Sequence, residues 1–158
     1  MDEDAFRAFY DRTAGALWGY LSRVSGDRQV ADDLLQESYY RLLKSTTVFE
    51  TEAHRRNYLY RIATNLVRDS RRGAKPLFDA GIEMGDIVAP QPEVDTERRA
   101  DVRRAMGRLK PRERAMLWLA YAQGSSHSEI AEVLGLKTGS IKLMLFRARR
   151  KLAAILQA

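Results

Sequence analysis

HSEIAEVLGLKTGSIKLMLFRARRKL, His127 to Leu152, holds two short amphipathic runs on either side of a glycine, and its reading decides the fold. Apolar residues recur at three-to-four spacing before and after Gly135, which marks two helices and a tight turn rather than one long helix. Each key position has a mechanical reason. Ala131 is small where two helices cross closely, Gly135 tolerates positive φ in the turn, and Ile141 is the buried anchor of the second helix. Ile130, Val133, Leu134, Leu145, Ala148 and Leu152 complete the core stripe. The pattern is that of a helix-turn-helix, whose second helix enters a DNA groove.

That second helix has an apolar outer side. A step of 100° per residue from the core line puts Leu143 almost opposite the core, Phe146 well off it and Met144 on its flank. Two uses of the outward pair stay open: contact of Leu143 with thymine methyls in the major groove, or cover by a partner or by the N-terminal domain. Lys137, Thr138, Ser140 and Lys142 lie near the helix start and suit polar and phosphate contacts. Arg147, Arg149, Arg150 and Lys151, with Arg112 and Arg114 of a preceding helix, are further phosphate candidates.

Outward from this motif the chain reads as all-α. The four prolines all lie at position 76 or beyond. Before them, apolar periodicity predicts helices over 5–24, 30–44 and 57–72, with Val30, Leu34, Leu35, Tyr39, Leu42 and Leu43 as the buried side of the second. KPLFDAGIEMGDIVAPQPEVDTE has no such period and predicts a linker over 75–97, with Leu77, Phe78, Ile82, Met84, Ile87 and Val88 as docking points. Helices near 97–109, 112–123, 127–134 and 138–156 follow, with Pro111 in the first turn of one and Ser126 or Ser128 capping the next. Two small helical domains result: residues 1–74, a three-to-four-helix bundle, and residues 98–158, the helix-turn-helix domain.

Charge follows the same division. Residues 51–75 carry seven bases and two acids, residues 76–97 six acids and no base, and residues 98–158 fourteen bases and four acids. Two basic modules imply two contacts with a polyanion, and the acidic run between them is repelled by it. With no cysteine and two isolated histidines, His54 and His127, neither disulfides nor a metal site is expected, and no cofactor. The acidic start MDEDAFRAFY and the lack of a long apolar stretch point to a cytoplasmic protein without membrane contact of its own. No catalytic constellation is apparent, so an enzyme is not expected.

Three segments carry a resemblance to a known family. GDRQVADDLLQESYYRLLK, FETEAHRRNYLYRIATNLVRDSRR and RLKPRERAMLWLAYAQGSSHSEIAEVLGLKTGSIK are similar, in order, to motifs of the extracytoplasmic-function group of sigma-70 RNA polymerase sigma factors. The resemblance implies a sigma 2-like domain over 1–74 and a sigma 4-like domain over 98–158. It implies as partners core RNA polymerase (clamp helices of the largest subunit, flap region), promoter DNA and an anti-sigma factor. Asp33, Gln36 and Glu37, at i, i+3, i+4 spacing, match the clamp-docking surface. Phe49 to Asn57 match the loop that captures an unstacked minus-10 base. Phe49, Arg56, Asn57, Tyr58, Arg61, Asn65, Arg68 and Arg72 are the minus-10 contacts it implies, with Tyr60 and Arg71 beside them as a stacking ring and a further base. Tyr58 stands where the family usually has Trp, and Arg55 where it often has an apolar aromatic. Arg112, Arg114, Lys137, Thr138, Ser140, Lys142, Leu143, Arg147 and Arg150 are the expected minus-35 contacts. The acidic linker matches the segment that threads toward the catalytic cleft. A sigma-like decoy for an anti-sigma factor and a stand-alone helix-turn-helix regulator are the alternatives.

Overall fold

The structure is a computed structural model that describes residues 1–72 and 96–157, the side chains of Arg72 and Thr96 excepted. The expected linker lies outside the described residues, apart from its last two positions, which already belong to a helix. Among the described residues there are seven helices and no strand: α1 (Glu3–Ser25), α2 (Arg28–Lys44), α3 (Glu52–Arg72), α4 (Thr96–Gly107), α5 (Pro111–Tyr121), α6 (His127–Leu134) and α7 (Thr138–Gln157). They form two compact units, α1–α3 and α4–α7.

In the first unit a two-residue link folds α2 back along α1. Gly26 ends α1 at φ 76°, a left-handed conformation that glycine adopts without penalty, and donates its N–H to Ser22 O at 2.9 Å. Asp27 then caps α2, its carboxylate accepting from the Gln29 and Val30 amides. Thr51 does the same for α3, its hydroxyl accepting from the His54 N–H at 3.0 Å. The helix therefore starts at Glu52, and the loop expected to run to Asn57 is confined to residues 45–51.

Phe9, Leu17, Leu21, Leu34, Leu35 and Leu59 form the apolar centre, all at most 1% exposed. Two buried hydroxyl pairs cross it. Tyr20 meets Thr64 at 2.7 Å and Tyr39 meets Thr13 at 2.5 Å. Each threonine hydroxyl also lies within hydrogen-bond reach of the carbonyl four residues back, of Phe9 and Tyr60, so each pair continues into its own helix. Burial keeps the phenols protonated: it pushes the Tyr39 phenol up to about 12, against a smaller opposing effect of the Thr13 bond, and raises Tyr20 further. Contacts between α1 and α3 climb in the same sense, Arg12 with Glu52, Tyr20 with Thr64 and Val24 O with Arg71, so these helices run parallel. One expected core residue is not there: Leu43 is 53% exposed, because it shares the face of Gln36 rather than that of Leu35 and Leu42.

In the second unit the helix starts are also fixed by side chains. Pro111 opens α5, where its missing N–H leaves no gap, and Glu113 accepts the Lys110 amide at 2.8 Å. Ser126, not Ser128, caps α6: its hydroxyl accepts from Glu129 N–H, and the Glu129 carboxylate accepts from Ser126 N–H. Gly135 ends α6 at φ 68°, and Leu136 N–H returns to Ala131 O at 2.9 Å. Ile141, Leu145 and Ala148 then seat α7 on the core. Both ends of α5 are fastened to α7, Glu113 to Lys151 at 3.0 Å and the Tyr121 hydroxyl to Arg149 at 2.8 Å.

A Cβ on Gly135 meets no atom within 4 Å, so only its backbone conformation resists substitution. Gly135→Ala is expected to destabilise the α4–α7 unit by about 1–2 kcal/mol, and Gly135→Asn by less, since Asn tolerates the left-handed region. Denaturant unfolding of the two variants checks the order; equal losses would contradict it.

Candidate nucleic-acid interface

The roll of α7 follows from its seated face. With Ile141 fully buried, Leu143 and Phe146 emerge at 52% and 46% exposure, and Met144 is half-buried on the flank. The expected sorting of these three residues therefore matches the geometry. Lys137, Thr138, Ser140, Lys142, Arg147 and Arg150 are all exposed around them. The Arg150 guanidinium lies 5.7 Å from the Phe146 ring centre, so ring and cation form one raised feature on the outer side. Arg149 and Lys151, on the two flanks, are instead bound to α5 through Tyr121 and Glu113. The Glu113 carboxyl is held below the usual range although its burial acts the other way; the Lys110 amide and Lys151 together outweigh it.

Arg114 is not placed as a phosphate contact. It is 7% exposed and its guanidinium donates to the Leu109 carbonyl inside the unit. Arg112, on the same helix, is exposed as expected.

On α3, Arg61, Asn65 and Arg68 are exposed and repeat at four and three residues, which lines them along one stripe. Arg72 continues that spacing in sequence; its side chain lies outside those described. Arg71, also exposed, donates to Val24 O at 3.1 Å. Two expected contacts are internal. Asn57 is 8% exposed, and Tyr60 is 3% exposed with its ring 5.1 Å from Tyr20, so neither offers a surface to a base. Burial, with the neighbouring Tyr20 and Tyr39, raises the Tyr60 phenol far above its ordinary value.

The loop 45–51 gathers on the start of α3. Phe49 is half-buried, with His54 at 5.3 Å and Tyr58 at 5.2 Å between ring centres. Tyr58 keeps part of its ring open, and its hydroxyl accepts from Ser45 at 3.3 Å. That bond, with Thr47, lowers the Tyr58 phenol. Arg56 is half-buried. Val48, at 84% exposure, is a bare apolar residue at the loop tip that no periodicity flagged.

On α2, Asp33 and Glu37 are half-buried and Gln36 exposed, all on the side away from the core. Glu37 pairs with Arg41 at 2.9 Å. Desolvation, then the nearby Asp32 and Asp27, raises the Asp33 carboxyl. Tyr40 and Leu43, both more than half exposed, continue the stripe by one and two turns, with Lys44 Nζ 4.6 Å from the Tyr40 ring. Their spacing from Asp33 and Gln36, seven residues in each case, was the available signal. Among the described residues no helix is long and apolar enough to cross a membrane, and no three His, Asp or Glu side chains group as a metal site.

One unit thus carries an acid-amide helix face and a base-lined helix, and the other is a helix-turn-helix with an exposed outer face. Residues 9–76 match the family model for sigma-70 region 2, and residues 99–152 that for sigma-70 region 4. The chain is 32% identical to the ECF RNA polymerase sigma factor SigL of Mycobacterium tuberculosis, over 96% of its own length and 88% of the relative's. It is 28% identical to the RNA polymerase sigma factor CarQ of Myxococcus xanthus, over 98% and 90% of the two chains. In fold it matches the sigma factor RpoE of Bartonella quintana, solved with the anti-sigma factor NepR, at a TM-score of 0.75, 22% identity and 98% coverage of both chains. The chain belongs to the extracytoplasmic-function RNA polymerase sigma factors of the sigma-70 family, and it directs promoter-specific initiation of transcription.

Arg147 and Arg114 separate surface contact from internal support. Arg147→Ala is expected to leave stability unchanged and to lower the salt slope of promoter binding by about 1. Arg114→Ala is expected to cost the α4–α7 unit about 2 kcal/mol, through lost packing and an unsatisfied buried carbonyl. Salt-dependent binding and denaturant unfolding of both variants check this; the reverse pattern would contradict the assignment.

Proposed function

We propose that residues 1–74 bind core polymerase and the melted minus-10 element, and residues 98–158 the minus-35 duplex, with the acidic run 75–97 threading toward the catalytic cleft between them. Asp33, Gln36 and Glu37 dock on the clamp helices of the largest subunit, and the α4–α7 unit on the flap region. The loop 45–51, with Phe49 and Tyr58, takes an unstacked minus-10 base. Arg56, Arg61, Asn65, Arg68 and Arg72 follow the strand backbone. In the minus-35 element Arg112, Lys137, Lys142, Arg147 and Arg150 contact phosphates, Thr138 and Ser140 add polar contacts, and Leu143 meets thymine methyls. The observation that carries the reading is the outward face of α7, polar and basic around the exposed Leu143 and Phe146, on a helix whose roll is set by Ile141. The protein acts in the cytoplasm, with no catalysis of its own.

A second reading concerns restraint. The exposure of both Leu143 and Phe146 leaves an apolar surface that a protein partner covers at low cost, and the partner assigned is an anti-sigma factor. The two uses are compatible in time, cover in the resting protein and groove entry after release.

Transcription by core polymerase from a promoter of the protein's own operon is expected to rise on adding the chain; no increase over core alone would refute the proposal. Asp33→Ala combined with Glu37→Ala is expected to weaken core binding about tenfold or more with the helical content unchanged. Leu143→Ser is expected to change the sequences selected from a random duplex pool. If selection is unaltered and only affinity for the restraining partner falls, Leu143 serves the partner and not the groove.

A further inference from the structure

Arg55, in the second turn of α3, is a cation in no ion pair among the described residues. Its side chain is half-buried, its Nε is shut off from solvent, and among the described residues that nitrogen has no acceptor. What the guanidinium meets is two rings, Phe9 of α1 at 5.7 Å and Phe49 of the loop at 5.5 Å. A guanidinium placed over rings acts through its flat faces rather than its N–H edge.

The two rings differ in how they are held. Phe9 is fully buried in the core of the bundle, a fixed point. Phe49 belongs to a connection whose residues Thr46, Thr47, Val48 and Glu50 are exposed and contribute nothing to the core. The ends of that connection are tied already: Ser45 Oγ donates to Tyr58 and accepts the Thr47 amide at 3.1 Å, and Thr51 caps α3. Arg55 ties its middle to the core, and His54 and Tyr58 close around the same ring.

We infer that Arg55 is a positioning residue: by joining Phe49 to Phe9 it holds the loop 45–51 in the shape that receives an unstacked base. This rests on the proposed role of the loop in capturing single-stranded DNA. A loop ordered beforehand does not lose its freedom at the moment of binding, so the joint acts on affinity without touching the base.

The test uses the full chain. Amide hydrogen exchange across 45–51 reads the joint directly. Binding by the chain on core polymerase, to short single-stranded oligonucleotides enriched from a random pool by the wild type, reads its consequence. Arg55→Ala is expected to speed exchange throughout the loop and to lower affinity about tenfold, the scale of one base–aromatic stacking contact. Arg55→Phe, which restores a flat filler between the rings, is expected to recover both. Arg55→Lys, a point charge without a flat face, is expected to recover neither. Unchanged exchange in Arg55→Ala, or full recovery by Arg55→Lys, overturns the inference. Faster exchange with unaltered affinity in Arg55→Ala also overturns it, since the joint then has no bearing on DNA. Wild-type affinity in Phe49→Ala removes instead the base-capturing role of the loop on which it stands.

Discussion

The burial of Ile141 is the constraint on which the C-terminal unit depends. A helix has one rotational degree of freedom that its own hydrogen bonds leave unset, and a fully buried β-branched side chain with Leu145 and Ala148 on the same line removes it. The turn through Gly135 sets the direction of α7, and the fastening of Lys151 and Arg149 to opposite ends of α5 resists rolling either way. Nothing on the outer face takes part in this. Its residues are therefore free to be chosen for what they meet, which is how a leucine comes to stand at its centre without harm to the fold.

The N-terminal unit reaches the same separation by different means. Its core is crossed by two hydroxyl–hydroxyl bonds, each threonine of which also meets a carbonyl of its own helix. Such pairs demand one register: a slip by a residue leaves a buried hydroxyl without its partner, at a cost of about 1–3 kcal/mol. Apolar packing alone is more forgiving of small shifts. The bundle thus presents the α2 face, the loop and the α3 stripe in a fixed relation, each on the side that the buried hydroxyls do not occupy.

Much of this was legible in the sequence, and the failures have a common cause. Helix existence, the Gly135 turn and the outward direction of Leu143 follow from period and residue type. Asn57, Tyr60 and Arg114 were assigned from motif position and charge, while the period told otherwise. Asn57 and Tyr60 fall in line with Thr64 and Val67, all of them buried. Arg114 sits on a helix whose buried run extends from Arg114 to Leu117, so little of its circumference is left for solvent and an inward arginine must find carbonyls. Leu43 erred in the other direction, an apolar residue credited to the core although it repeats from Gln36. The contact of Arg55 with Phe9 had no sequence signal, because it joins residues far apart in the chain.

The bond from Arg71 to the Val24 carbonyl has a mechanical side. It lies where α1 and α3, running parallel, both end. A pull on the end of α3 against the start of α1 draws the two helices along each other, not apart. Arg12–Glu52, Tyr20–Thr64 and Arg71–Val24 then share the load as rungs of a ladder in shear, where no single rung yields before the rest. Force applied along α3 is thus carried by the whole length of the bundle.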